Sequence, residues 1–292
     1  MKPTTITAPC PAALTPAHIA QYHRDGYLAF TDVLTPVEVA QARAGLTALT
    51  RQAQHGPDFV LREGGAFRKL YSTATPYYLQ IESTAKGTNL RALPDADFEL
   101  TVRKLTLFCD GDPFFNALAD RHMRVRSIVE SLIGASPVRF GEMALIKPPL
   151  IGTEKPWHQD NAYFSITPLD AVLTAWIALD DASVENGCMH VLPGEHQLGP
   201  RRHHHTFDCE IVPDRRDAAR AVPVELPAGG AMFFSGLLPH QTPPNHSAER
   251  RRALQFQYRS ATSQIVSREE YDRVFAEADG TPASCAAAPA NK

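Results

Sequence analysis

The sequence predicts a mainly β fold with flanking helices, a sandwich or barrel of short strands and not a doubly wound sheet. Three observations lead there. The second half breaks into short β-like runs bounded by proline, glycine and asparagine turns, the first half opens with two proline-started helices, and 24 prolines in 292 residues leave little room for long uninterrupted elements. With 43% hydrophobic residues and a formal charge of −3, the composition is that of an ordinary globular chain. No basic run exceeds Arg250-Arg251-Arg252, so nothing favours a nucleic-acid partner and none is expected. Residues Met1 to Ile6 lack the apolar stretch of a signal peptide, and no run of about 18 apolar residues occurs that could span a bilayer. A cytoplasmic protein without a membrane partner is therefore expected. One domain over 1–292 is expected, with 1–12 and 281–292, rich in proline and small residues, as flexible tails.

The elements follow in chain order. Thr15 before Pro16 reads as an N-cap with proline at the first helical position, and that helix runs through Ile19 and Tyr22 to a stop at Gly26. Thr35-Pro36 repeats the device ahead of Val37 to Leu46. A third helix is predicted over Asp120 to Ile133, where Val125, Val129, Leu132 and Ile133 recur at helical spacing and Gly134 ends the pattern. The stretch Phe59 to Leu93 yields no clear element. Strands are predicted over Val138 to Lys147, Ala171 to Leu179, Cys188 to Leu192, Val222 to Leu226, Ala231 to Ser235 and Arg251 to Ser260. On the last of these, Leu254, Phe256 and Tyr258 share one face, while Arg251, Ala253, Gln255 and Gln257 share the other. That polar face looks either into a cavity or out to solvent. The five cysteines form an odd set without a C-x-x-C pair and are expected to be reduced packing residues.

The most chemically pointed segment is His158-Gln159-Asp160. In an extended chain residues i and i+2 share a face roughly 6 to 7 Å apart, so an imidazole and a carboxylate can converge on one ion. A second histidine would complete two histidines and one carboxylate on one face of an octahedral iron, leaving three positions open. His240, after a turn, is the best placed candidate. An H-x-D triplet also arises by chance, so its company matters. Arg251 follows on the next strand, where a guanidinium can pair two-pronged with a carboxylate, and Trp176 lies on a strand where it can wall a pocket.

At this point the sequence resembles the phytanoyl-CoA dioxygenase-like group of iron(II)/2-oxoglutarate dioxygenases. The resemblance runs from about Leu14 to Arg259. It rests on Trp157 to Phe164 (WHQDNAYF), on Asn186 to His196 (NGCMHVLPGEH), and on Pro239-His240 with Asn245 and Arg250-Arg251. It implies a double-stranded β-helix, a cupin-like jelly roll of two antiparallel sheets flanked by helices. It implies His158, Asp160 and His240 as iron ligands, Arg251 on the distal carboxylate of 2-oxoglutarate, and Trp176, Lys104 and Met143 around that co-substrate. With Fe(II), 2-oxoglutarate and O2 the implied reaction oxidises a C–H bond, most simply by hydroxylation, and releases succinate and CO2. Desaturation, epoxidation or cyclisation would use the same oxidising chemistry. Because halogenating relatives replace the carboxylate by a small residue, Asp160 argues against halogenation.

The expected substrate is a small organic molecule of secondary metabolism, and a coenzyme A thioester is not favoured because no dedicated basic cluster is apparent. Asn161, Tyr163, Phe164, Gln255 and Gln257 are the candidate substrate residues. His203-His204-His205 is read as a surface loop, and His190, His196 and His246 as loop-ordering residues. Monomer and homodimer are both left open. A metal-binding barrel without redox chemistry and a zinc-dependent hydrolase are the rival classes, and both predict indifference to 2-oxoglutarate.

Overall fold

The computed structural model describes residues 7–62, 67–134, 136–205, 208–211 and 219–275. The predicted tail 281–292, and residues 1–6 of the predicted tail 1–12, lie outside them. Nine strands form one antiparallel sheet in the order β1-β14-β9-β16-β6-β5-β4-β3-β2. These are β1 (Tyr27–Phe30), β2 (Phe59–Arg62), β3 (Lys69–Ser72), β4 (Tyr78–Ile81), β5 (Val102–Thr106), β6 (Val138–Lys147), β9 (Val172–Ala178), β14 (Ala231–Ser235) and β16 (Arg251–Arg259). A second sheet runs β13-β10-β15-β7, from β7 (Lys155–His158), β10 (Met189–Val191), β13 (Val222–Val224) and β15 (His240–Thr242). Two small hairpins complete it: β11 (His203–His205) with β12 (Cys209–Ile211), and β8 (Ile166–Thr167) with β17 (Gln264–Ile265). The two main sheets stay separate, so the jelly roll is open and not a closed barrel.

Helices α1 (Pro16–Asp25) and α2 (Pro36–His55) begin where predicted. The Thr15 and Thr35 hydroxyls accept the third backbone N–H, and each helix starts on proline. Gly26 ends α1 at φ 84°, a left-handed turn that glycine adopts without strain. The helix predicted over 120–133 is α5 (Met123–Ile133), which starts three residues later than predicted; α4 (Pro113–Asp120), not predicted, ends where that range begins, and both follow the short α3 (Asp95–Glu99). The chain breaks at Arg121 because His122 starts a fresh helix, its Nδ1 accepting the Val125 N–H. A last helix, α6 (Arg268–Phe275), lies near the C-terminus. No helix among the described residues is long and apolar enough to cross a membrane.

The first half is less helical than expected, since β1 and β2 to β5 all join the large sheet. Strands of four or five residues give too few alternations to be read from sequence. One core lies between the outer face of this sheet and the helices, where Leu254 and Phe256 meet Leu46, Phe115 and Val129. A second lies between the sheets, where Trp176 and Phe234 meet Met189 and Val224. The parity read on β16 is therefore correct: Leu254, Phe256 and Tyr258 pack outward, while Arg251, Gln255 and Gln257 are buried on the inner face and do not meet solvent. Cysteines 10, 109 and 188 are free, as expected. Cys209 on β12 is disulfide-bonded, against expectation. An odd count without C-x-x-C does not exclude a pairing between distant positions.

Candidate metal centre

Antiparallel pairing of β7 with β15 puts His158 opposite His240, and their rings lie 4.1 Å apart between centroids. Asp160 follows as the chain leaves β7. Its Oδ1 is 3.5 Å from His158 Nε2 and 3.6 Å from His240 Nε2. One ligand atom from each residue lies within 4.8 Å of the others, and all three residues are buried. Both tautomers are fixed by the backbone. The Nδ1 atoms sit 2.9 Å from the carbonyls of Pro156 and Leu238, which can only accept, so each Nδ1 carries the proton and each Nε2 presents a lone pair. Burial pushes the His240 imidazole down to about 3, assisted by the neighbouring His158. Burial also opposes the charge of Asp160, yet the adjacent His158 and His240 rings and the Thr174 hydroxyl outweigh it and hold the carboxyl well below its usual range. Neutral imidazoles and an ionised carboxylate are the donor set that iron(II) prefers.

A second layer holds these ligands. Thr174 Oγ1 donates to Asp160 Oδ2 at 2.6 Å, and Gln255 Nε2 stands 3.5 Å from the same oxygen. Gln159 ties three loops together: its Nε2 donates to the carbonyls of Gly199 and Leu237, and its Oε1 accepts the Arg201 N–H. Its own N–H donates to His203 Nε2 at 3.0 Å, while His203 Nδ1 donates to the Arg201 carbonyl. The His203-His204-His205 stretch is thus strand β11 and not the surface loop expected, and burial pushes His203 down to about 3. Thr174 and His203 were not foreseen as parts of the site. Every residue of β9 is buried, so no alternation marks Thr174, and three consecutive histidines do not reveal which one points inward.

On the inner face of β16, Arg251 is 1% exposed and its Nε and Nη1 have no hydrogen-bond partner. Its guanidinium stands 5.4 Å from the centre of the Trp176 ring, and Trp176 Nε1 is likewise unpartnered. Its neighbours in sequence are engaged elsewhere, Arg250 with Glu99 at 2.9 Å and Arg252 with Asp180 at 2.8 Å. Burial pushes Arg251 down to about 10, and its cross-strand partner Lys147 is a buried amine that burial and the nearby Arg251 push well below the usual lysine range, bonded to the carbonyls of Thr153 and Thr242. Among the described residues no carboxylate forms a salt bridge with Arg251, and a buried guanidinium with free donors is a cradle for one.

The other predicted residues fall around this centre. Met143 pairs across the strands with Gln255, and Lys104 pairs with Leu145, so both face inward. Lys104 is half-buried, and burial with the nearby Lys155 lowers it to about 8. The Tyr163 ring lies 6.0 Å from His158, and its hydroxyl meets Lys155 and Asp208, themselves 2.7 Å apart. Phe164 packs edge-on against Phe140. Asn161 is turned away into structure, its Nδ2 donating to the Leu169 carbonyl at 2.6 Å. Gln257 is buried against Gly141, where a Cβ would meet its Oε1 at 2.4 Å. Among the described residues no other group of histidine, cysteine and carboxylate converges in this way.

Comparison with known proteins agrees with this arrangement. The chain is 26% identical over 284 residues to phytanoyl-CoA dioxygenase domain-containing protein 1 of Bos taurus, covering 88% of this chain and 94% of the relative. The crystal structure of EvdO2 from Micromonospora carbonacea var. aurantiaca shares 26% identity and superposes with a TM-score of 0.62, over 91% of this chain and 96% of that one. A second EvdO2 structure, complexed with 2-oxoglutarate, matches with a TM-score of 0.60. The profile of the family described as phytanoyl-CoA dioxygenase (PhyH) matches residues 22–253. That span contains the triad, Trp176 and Arg251, and the chain belongs to the phytanoyl-CoA dioxygenase family of iron(II)- and 2-oxoglutarate-dependent oxygenases.

Proposed function

We propose that this oxygenase hydroxylates an unactivated C–H bond of a small organic substrate, with His158, Asp160 and His240 as the iron ligands and Arg251 as the anchor of 2-oxoglutarate. The observation that carries the reading is Arg251, a buried cation with two free donors on the same inner face as Gln255, which reaches Asp160. A distal carboxylate would satisfy those donors, with Trp176 beneath the guanidinium and its indole N–H free for a second acceptor. Met143 and Lys104 flank the span between Arg251 and the triad. Iron(II) held by the triad supplies dioxygen activation coupled to oxidative decarboxylation of 2-oxoglutarate to succinate and carbon dioxide.

The chain's own part is positioning. Pro156 and Leu238 fix the imidazole tautomers, Thr174 keeps Asp160 ionised and aimed, and burial of the triad excludes bulk water. Gln255, Gln257 and Tyr163 border the space left for substrate. Hydroxylation is the outcome that demands no additional proton-transfer group. A non-redox barrel or a zinc hydrolase would leave the unpaired Arg251 without a purpose. The test is an anaerobic titration of metal-free protein with iron(II) and then 2-oxoglutarate. A weak visible charge-transfer band should appear in the wild type and vanish in His158→Ala and His240→Ala. Bound metal without such a band would overturn the reading.

A further inference from the structure

The inner face of the large sheet continues past the second sheet, onto the strands that the sequence left unassigned. Strand register there aligns two cross-strand rows. In one, Arg62 faces Lys69, Lys69 faces Gln80, Gln80 faces Lys104 and Lys104 faces Leu145. In the other, Tyr71 faces Tyr78, Tyr78 faces Thr106, Thr106 faces Met143 and Met143 faces Gln255, which reaches Asp160. Leu70, Leu79 and Leu105 alternate with these residues and are buried on the helix side. Both rows therefore share the face of the metal centre and lead directly into it.

Among the described residues the cations of this shelf have no salt-bridge partner. Like charges placed opposite each other across strands destabilise a sheet, yet Arg62 stands directly opposite Lys69. Tyr71 and Tyr78 stack at 5.0 Å, with Arg62 5.0 Å from the first ring and Lys69 Nζ 6.0 and 5.7 Å from the two. Cation–π contact holds these cations in place without neutralising them. Among the described residues Arg62, Lys69 and Lys104 form no salt bridge. Among the described residues the carboxylates Asp208 and Glu82 are engaged elsewhere, Asp208 with Lys155 at 2.7 Å and Arg103 at 3.8 Å, Glu82 with Thr153 and Arg103. A row of unpaired cations on a chain of net charge −3 is a local feature and not a general bias.

We propose that this shelf binds an anionic group of the substrate, so that the substrate is a small organic carboxylate or phosphate whose charge lies remote from the oxidised carbon. The inference rests on the oxygenase reading above. With strands about 4.8 Å apart, Lys104 on β5 and Lys69 on β3 stand roughly 10 and 20 Å across the sheet from Gln255 on β16, which sets the reach of the substrate. Binding energy from that remote anion would orient the reacting carbon.

The test uses protein loaded with iron(II) and 2-oxoglutarate under anaerobic conditions, titrated calorimetrically with phenyl phosphate, phenylacetate and uncharged 2-phenylethanol. At least one anion should bind about tenfold more tightly than the alcohol, and the tighter of the two identifies phosphate or carboxylate as the preferred group. Lys69→Glu should weaken that anion about tenfold or more, Arg62→Gln several-fold, and Lys69→Arg should restore it. Equal affinity for the alcohol, no anion binding, or anion affinity within twofold of wild type in Lys69→Glu would overturn the shelf. Absence of the 2-oxoglutarate band from the wild type in the same sample would instead overturn the oxygenase reading.

Discussion

Asp160 serves two masters through its two oxygens, Oδ1 facing both imidazoles and Oδ2 held by Thr174. Partners of this outer kind typically change metal affinity by about 10–100-fold. Thr174→Val keeps the shape and removes the hydroxyl, so iron(II) affinity should fall by roughly that factor in an equilibrium titration. Unchanged affinity would mean that Asp160 needs no orienting bond. A pH effect follows from the histidines. His203 and His240 are held at about 3 by burial, against an ordinary value of about 6.5 in the unfolded chain. The unfolded state therefore binds more protons between those values. The metal-free fold keeps their full contribution above pH 6.5 and loses it as pH falls toward 3. The urea midpoint of metal-free protein should drop between pH 7 and pH 5, with a shallower drop in His203→Gln. His158 and Asp160 were legible as a candidate pair because residues two apart on an extended chain share a face, and the motifs around them, with the family these resemble, lifted the pair above a chance triplet. Thr174 was not, because a strand buried on both faces carries no polar alternation.

Among the elements, β16 joins the two layers of the molecule. Its odd-numbered residues face the metal centre and its even-numbered ones the helices, and this much was visible in the order of polar and apolar side chains. The two faces should respond differently to mutation. Phe256→Ala opens a cavity in the outer core and should destabilise by about 3–5 kcal/mol in urea unfolding. Gln255→Met keeps the length of a side chain on the other face and should leave the midpoint near that of the wild type while lowering turnover. Equal destabilisation by both would contradict the division of faces. Helix starts were legible at Thr15 and Thr35, where a capping residue precedes proline. The same device at Asp112-Pro113 starts α4, where the Asp112 carboxylate accepts the N–H groups of Phe114 and Phe115, and it escaped notice because the apolar run beyond Asp120 drew the boundary. Strands β2 to β4 escaped for a different reason. Each has four residues, and its inward side carries lysine, arginine and tyrosine where a solvent-facing side would look the same.

At the scale of the whole molecule, the helix-side core is mainly apolar and its buried polar groups Thr50, Gln54 and Glu142 are hydrogen-bonded, while the space between the sheets buries Arg251, Lys147 and the triad. Burying a cation without a counterion is costly, so the resting fold holds a deficit at Arg251 that a bound carboxylate removes. Stability and co-substrate binding should then trade against each other at this one residue. Iron(II) and 2-oxoglutarate together should raise the melting temperature of the wild type. Ligand at 100 times its Kd contributes about 2.7 kcal/mol, and each kcal/mol is worth roughly 2–4 °C in a chain of this size. Arg251→Leu replaces the unpaired guanidinium with an apolar group, so its metal-free form should melt at or above the wild-type temperature. It should keep the increment from iron(II), because the triad is intact, and lose the increment from 2-oxoglutarate. Differential scanning fluorimetry under anaerobic conditions, with each ligand added in turn, separates the two increments. A metal-free Arg251→Leu protein that melts well below the wild type would show that the guanidinium is already satisfied in the resting fold, and the case for a carboxylate at that position would fall with it.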